Sequence, residues 1–141
     1  MSAFPEMVDI KSQLIQERVD AIAPLPFDPI QEDLSVESYA LYRRRLSLEY
    51  LRKIRDPRTY AILAVNVDRY GFYNYIGPHT LADIAIAFAQ SKKIYIYQGV
   101  PDVYQDELTT WGAISLGGVL DPLVRDYQNA CAAEQLQLTL F

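Results

Sequence analysis

The residues of this chain whose types and spacing suit chemistry lie between Ile62 and Asp83, in the run ILAVNVDRYGFYNYIGPHTLAD. An apolar stretch ends in Asn66-Val67-Asp68, a turn at Gly71 follows, and Gly77-Pro78-His79-Thr80 opens a helical pattern that reaches Asp83. Free backbone N–H groups at such a helix start favour an anion, a phosphate or a carboxylate. Asn66, Asp68 and Asp83 bring one amide and two carboxyl groups to the same neighbourhood. Tyr70, Tyr73 and Tyr75 either stack on a planar ring such as a nucleobase or cover a sheet edge. The polar residues also have plainer roles. Thr80-Leu81-Ala82-Asp83 has the spacing of a capping box, with Asp where Glu or Gln is usual. Asp68 suits a turn before Gly71. His79, the only histidine, suits either an exposed place beside Pro78 or a ligand contact at the helix mouth.

These side chains need elements to hold them. Pro5 and Glu6 read as the first turn of a helix, and Met7, Ile10 and Leu14 repeat at helical spacing to about Arg18. Val19 to Ala23 reads as a short strand that stops at Pro24. Pro24 to Leu34 carries prolines and no periodicity, which makes it a loop. A long helix follows with Ser35 as N-cap, Tyr39, Tyr42, Leu46, Tyr50 and Ile54 as its buried stripe, and Pro57 as its end. Thr59 to Val67 is almost continuously apolar, β-branched or aromatic, as a central parallel strand covered on both faces would be. A polar loop from Asp68 to His79 leads to a helix from Thr80 to Gln90 and a strand from Lys93 to Tyr97. Beyond lie an acidic turn around Asp106 and Glu107, a break at Gly117-Gly118 and a helix from Pro122 to Glu134. Alternating strands and helices predict an α/β fold with a parallel sheet and right-handed crossovers. In such sheets ligands bind beyond the carboxyl ends of the strands, which is where Asn66, Asp68 and the loop to Thr80 fall.

The order of apolar strand, Asn-x-Asp, Gly, aromatic-Ile-Gly, x-x-Thr-x-x-acid, Ala-x-Ala and Lys-Lys-Ile resembles the nucleoside 2-deoxyribosyltransferase superfamily, from about Tyr50 to Glu107. The resemblance implies a flavodoxin-like doubly wound parallel sheet in one domain over residues 1–135. The family usually begins with a strand and a Gly/Ser loop; here the chain opens almost directly into a helix, so that strand is missing, supplied elsewhere or cut off. The implied activity is cleavage or transfer at the N-glycosidic bond of a nucleoside or nucleotide, without a cofactor. Asp83 stands where the family has its nucleophilic Glu. Asp68 would supply the acid or orient the base, and Asn66 would hydrogen-bond sugar or base. Tyr70, Gly71, Tyr75, Gly77, His79 and Thr80 would line the substrate. Relatives close their sites with neighbouring subunits, which implies a homo-oligomer. The competing expectation is a nucleotide-binding or interaction module that keeps the pocket without turnover.

Composition narrows the class. The 141 residues are half apolar and 22% charged, with a net charge of −5, which suits one globular domain. The acidic balance argues against direct nucleic-acid binding, whose affinity comes from neutralising phosphates. Arg43, Arg44 and Arg45 read as a solvated helix face. A lone cysteine, Cys131, allows no internal disulfide and suits a reducing, cytoplasmic setting. No apolar run is long enough for a membrane span, and no basic-then-apolar leader is evident. One His and one Cys predict no metal site, and without a G-x-G-x-x-G or Walker loop no dinucleotide or triphosphate cofactor is implied. The tail, residues 136–141, carries a separate signal. Gln137, Leu138, Leu140 and Phe141 resemble the Gln-Leu-x-Leu-Phe peptide that docks on the bacterial DNA sliding clamp, while the Leu136, Leu138, Leu140 alternation equally fits a packed strand or a dimer contact.

Overall fold

A five-residue stretch at the end of the sequence organises the sheet. In the computed structural model, which describes residues 4–23, 36–131 and 137–141, the elements run α1 (Phe4–Gln16), β1 (Ala21–Ile22), α2 (Val36–Arg55), β2 (Thr59–Ala64), β3 (Val67–Arg69), β4 (Phe72–Tyr75), α3 (Pro78–Ala89), β5 (Lys93–Ile96), α4 (Gln105–Thr110), β6 (Ile114–Ser115), α5 (Asp121–Ala130) and β7 (Gln137–Leu140). The main sheet has five parallel strands in the order β1-β7-β2-β5-β6. β3 and β4 form a separate antiparallel pair. The expected loop over Pro24–Leu34, the Ser35 cap and the end of the last helix lie outside the described residues.

The tail is therefore a strand inside the sheet, the packed-strand alternative for its leucine alternation. Both edges of β7 are bonded: Leu138 N–H donates to Asp20 O at 2.7 Å, Phe141 N–H to Leu63 O at 2.8 Å, and Val65 N–H donates to Phe141 O at 2.7 Å. Leu138 and Leu140 are fully buried, and Phe141 is 7% exposed. The side chains that would enter the pockets of a sliding clamp are thus committed to the core.

Alternation along β7 divides the core in two. Leu138 and Leu140 point to the layer of α1 and α5, where Met7, Ile10, Leu14, Leu123, Val124 and Tyr127 are buried with Ala61 and Leu63 of β2. Phe141 points to the other layer, with Ile54 of α2, Ile84 and Ala87 of α3, Leu108 of α4, and Ile62 and Ala64 of β2. A register shift between Thr59 and Ala61 is a bulge, and it explains why Tyr60 and Ala61 pack against the same layer instead of opposite ones. Gln137 and Thr139 are the polar members of the strand. Gln137 Nε2 donates to Thr59 Oγ1 at 3.1 Å, and that hydroxyl donates to Lys53 O at 2.6 Å. Thr139 Oγ1 is buried without a hydrogen-bond partner.

Three expected elements differ. Thr59–Val67 is not one strand: it breaks at Val65-Asn66, and the chain enters the β3–β4 hairpin within the stretch expected as loop. α3 begins at Pro78 rather than Thr80, because Gly77 is the N-cap and proline occupies the first turn. The α2 stripe is buried only at Ile54, with Tyr50, Leu46 and Tyr42 half-buried and Tyr39 41% exposed. Twenty residues of helix span about 30 Å, whereas β2 with six residues spans about 20 Å. About the first third of α2 accordingly reaches past the carboxyl edge of the sheet.

Leu140→Ala should cost about 2–5 kcal/mol in urea unfolding, as large-to-small changes at fully buried sites do, and removal of Gln137–Phe141 should abolish the cooperative transition. Thr139→Val, which replaces an unpaired buried hydroxyl by a methyl group, should instead stabilise by about 1 kcal/mol.

Candidate functional site

β2, β5 and β7 end at one edge of the sheet, and the chain leaving them builds that edge around Asn66. Asn66 is 2% exposed. Its Nδ2 donates to Asn74 O at 3.0 Å and to Gly99 O at 2.8 Å, while its Oδ1 accepts from Gln98 N–H at 2.9 Å. Both amide protons are spent on backbone, so the side chain ties the β3–β4 hairpin to the segment after β5. Asp68 is exposed, and its Oδ1 accepts from Asn74 N–H at 2.8 Å, fixing the hairpin base. Asn74 holds a φ of 56°, and its side-chain amide lies 3.0 Å from where a Cβ on Gly99 would be. A side chain at 99 would press on the Asn74 amide, and glycine lets the two segments meet this closely.

The hairpin presents an aromatic group. Tyr70 and Gly71 form its two-residue turn, both at positive φ (53° and 76°), the backbone that tight hairpins need. A tyrosine there is unusual, since Asn, Asp or Gly normally take such positions. The Tyr70 ring meets Tyr75 edge-on at 5.3 Å, and the Arg69 guanidinium lies 4.4 Å from its centroid. Phe72 is tilted against Tyr75 at 6.5 Å. Tyr70, Phe72 and Tyr73 are 66%, 63% and 81% exposed. Tyr75 in turn lies against Gly77, 3.7 Å from where a Cβ would sit.

Asp83 occupies the second turn of α3. With Gly77 as N-cap and no side-chain cap bond, the capping-box role expected for Thr80 and Asp83 is not formed. Among the described residues no hydrogen bond or ion pair reaches the Asp83 carboxyl, and burial pushes it up from 3.8 to about 6. The hydroxyl of Tyr50 on α2 is pushed up by burial, then by Tyr42, Glu49 and, last, Asp83. Tyr50 meets Phe141 edge-on at 5.9 Å. None of the bonds of Asn66 or Asp68 leads to Asp83.

His79, exposed in the first turn of α3, faces α2. Arg43 Nη2 lies 3.3 Å from His79 Nε2, and since a guanidinium only donates, Nε2 is the acceptor. Arg43 Nη1 also donates to Tyr39 Oη at 3.4 Å. Arg43 is thus half-buried and engaged, unlike the exposed Arg44 and Arg45. Sequence reading missed Tyr50, Phe141, Arg43, Asn74 and Gly99 as parts of this edge. The seven-residue spacing of Arg43 and Tyr50, two helical turns, was the available signal that both face α3.

Among the described residues no group of three His, Cys, Asp or Glu side chains is placed to hold a metal ion, and no described helix is long and apolar enough to cross a membrane. Neither a family model, nor a curated protein, nor a solved structure matches this chain.

Asn66→Ala should destabilise by about 2–3 kcal/mol, because it leaves backbone groups at Asn74, Gln98 and Gly99 unsatisfied; thermal unfolding measures this. Asp83→Asn should do the opposite. A carboxyl raised to about 6 binds its proton more tightly folded than unfolded, so its charge costs stability above pH 6 and the cost fades as pH falls to 3.8. The variant should gain up to about 2 kcal/mol at pH 8 and nothing at pH 3.5.

Proposed function

We propose that this chain binds a nucleoside or nucleotide at the carboxyl edge of its sheet and breaks or transfers the N-glycosidic bond, with the Asp83 carboxylate as nucleophile. The observation that carries the reading is Asp83 itself: a half-buried carboxyl that caps nothing and pairs with nothing among the described residues, held at about 6 by burial. A group that costs the fold stability without structural return is the kind that active sites keep. At neutral pH it is mainly ionised yet poorly hydrated, which suits attack on an anomeric carbon. The carboxylate oxygen bonds to that carbon as the bond to the base breaks, and the base leaves with a proton. Water, or a second base, then takes the sugar and restores the carboxylate.

The strand order supports the resemblance from another direction. If β7 is counted first, β1-β7-β2-β5-β6 reads second, first, third, fourth, fifth, which is the flavodoxin-like order. β7 then fills the place of the family's opening strand, so the strand expected as missing is supplied by residues 137–140. In that order the ligand crevice opens between the first and third strands, here β7 and β2, beside Phe141 and Asn66. Helices on both faces, α1 and α5 against α2, α3 and α4, complete a doubly wound arrangement.

Roles within the site follow from what each group has left to offer. Asn66 has given both amide protons to backbone carbonyls, so it positions the edge and does not bind sugar. Asp68 retains one uncommitted oxygen in solvent and can orient or protonate the base. Tyr70, Phe72 and Tyr75 offer rings for a base to stack on, a use that accounts for a tyrosine in a strained turn. A binding module without turnover is the second reading, favoured by Asp83 being one methylene shorter than glutamate, where displacement by ~1 Å can cost ~100-fold.

Incubation with a panel of nucleosides and their monophosphates should release free base, followed by chromatography. kcat should rise with pH through an apparent pKa near 6, because the attacking form is the carboxylate. Asp83→Asn should abolish release while folding more stably than the parent. A parent that binds these compounds and never cleaves them would establish the binding module.

A further inference from the structure

We infer that the opposite, amino edge of the sheet carries a second ligand site, in which Arg52 and Arg55 grip the phosphate of a small phosphomonoester. A cavity of about 420 Å³ opens there, lined by Arg52, Arg55, Asp56 and Gln90. The first three come from the C-terminal end of α2 and the residue after it; Gln90 follows α3 and lies about 10 Å further along that helix than Asp83.

The cations at this edge are not accounted for by the fold. Basic residues at a helix C-terminus often serve its free carbonyls, but here two of the four end carbonyls of α2, and that of the residue after it, have other partners. Arg52 O accepts from Asp56 N–H at 2.9 Å, Lys53 O from Thr59 Oγ1 at 2.6 Å, and Asp56 O from Lys92 Nζ at 3.0 Å. Nor does the neighbouring carboxylate neutralise them. Asp56 is held by Arg58, through Nε at 3.2 Å, Nη2 at 2.8 Å and the backbone N–H at 2.9 Å, and that grip lowers it to about 2. Among the described residues Arg58–Asp56 is the one ion pair, so Arg52 and Arg55 bring their charges to the cavity unpaired. This happens in a chain of net charge −5, against the trend of its surface.

Two guanidiniums three residues apart on one helix face stand about 5–6 Å apart at Cβ. Each presents a planar fork of N–H donors, and a phosphate dianion has oxygens enough for both forks, whereas a single carboxylate has two. The Gln90 amide supplies a donor and an acceptor for a hydroxyl or base edge. The groove is open to solvent and roomier than inorganic phosphate needs, so it admits a phosphate carried by a larger molecule of nucleotide or sugar-phosphate size. The inference does not depend on Asp83 being catalytic.

The test follows the Arg Nε–Hε resonances of the full-length chain by NMR during titration with adenosine monophosphate, adenosine and inorganic phosphate. Saturable shifts at Arg52 and Arg55 are expected with the monophosphate, weaker ones with inorganic phosphate and none with adenosine. Arg52→Gln with Arg55→Gln should weaken binding at least about tenfold; the helix-surface control Arg44→Gln with Arg45→Gln should leave it unchanged. If the double variant fails to fold, Arg55→Lys, which keeps the charge and loses the fork, should still weaken it measurably. Three results would overturn the site: no saturable shift, an equal loss in the Arg44/Arg45 control, or tighter binding to a single-stranded oligonucleotide that grows with its length, which marks a diffuse polyanion surface.

Discussion

Everything in this fold hangs on the backbone bonds that hold β7 between β1 and β2. A strand in the interior of a sheet must satisfy donors and acceptors on both sides, and β7 does so with Asp20 on one side and Arg58, Leu63 and Val65 on the other. β1 has only two residues and joins the sheet through β7 alone. Without β7, the α1–β1 unit would have no sheet to pack against, and Met7, Ile10 and Leu14 would lose Leu138 and Leu140 from their core. The same strand carries Phe141 to the carboxyl edge, where it supports Tyr50. The layout of the candidate site is thus a consequence of how the last strand is paired.

At that edge, polar groups fall into two kinds. Asn66, Asp68 and Asn74 are bonded to each other's backbone or to the segment after β5, and their effect is to freeze a hairpin that is too short to be stable by itself. Asp83 belongs to the second kind, uncommitted and partly desolvated. A rigid frame beside a free reactive group is what positioning chemistry requires. The frame lies on strand ends and the free group on a helix, so neither depends on the ordering of a long loop.

Much of this was legible in the sequence because it rests on local periodicity. The stripe Met7, Ile10, Leu14 gave α1, and the apolar runs gave β2 and β5, where burial enforces the pattern. What was not legible depends on pairings distant in the chain. The alternation of Leu138 and Leu140 identifies a strand but says nothing about its slot, since an edge and a central position read alike in five residues. The β3–β4 hairpin was hidden because Tyr70 occupies a left-handed turn position that normally announces itself by Asn or Gly. The α2 stripe misled because periodicity reports an apolar face, not whether a sheet extends far enough to cover it. The place of Asn66 at a strand end is legible, but its bonds to Asn74 and Gly99, which make it a brace, join segments distant in the chain.

The costs that the fold tolerates fall on both sides of the sheet. Thr139 with its unpaired hydroxyl and Asp83 with its unpaired carboxyl both face the layer that α2 and α3 cover, and Tyr50, pushed up by burial and by Asp83, belongs to the same layer. The other layer, under α1 and α5, is closed by apolar side chains; there Tyr95 Oη donates to Asp126 at 2.8 Å, while Glu6 Oε2 of α1 is buried without a hydrogen-bond partner among the described residues. A domain whose net stability is about 5–15 kcal/mol can carry several such costs of about 1–2 kcal/mol each only if the rest of its core is well satisfied. The apolar layer and the central strand supply stability, and the α2–α3 layer, covered by a helix that buries a single residue completely among twenty, is where solvent and a ligand meet the least resistance.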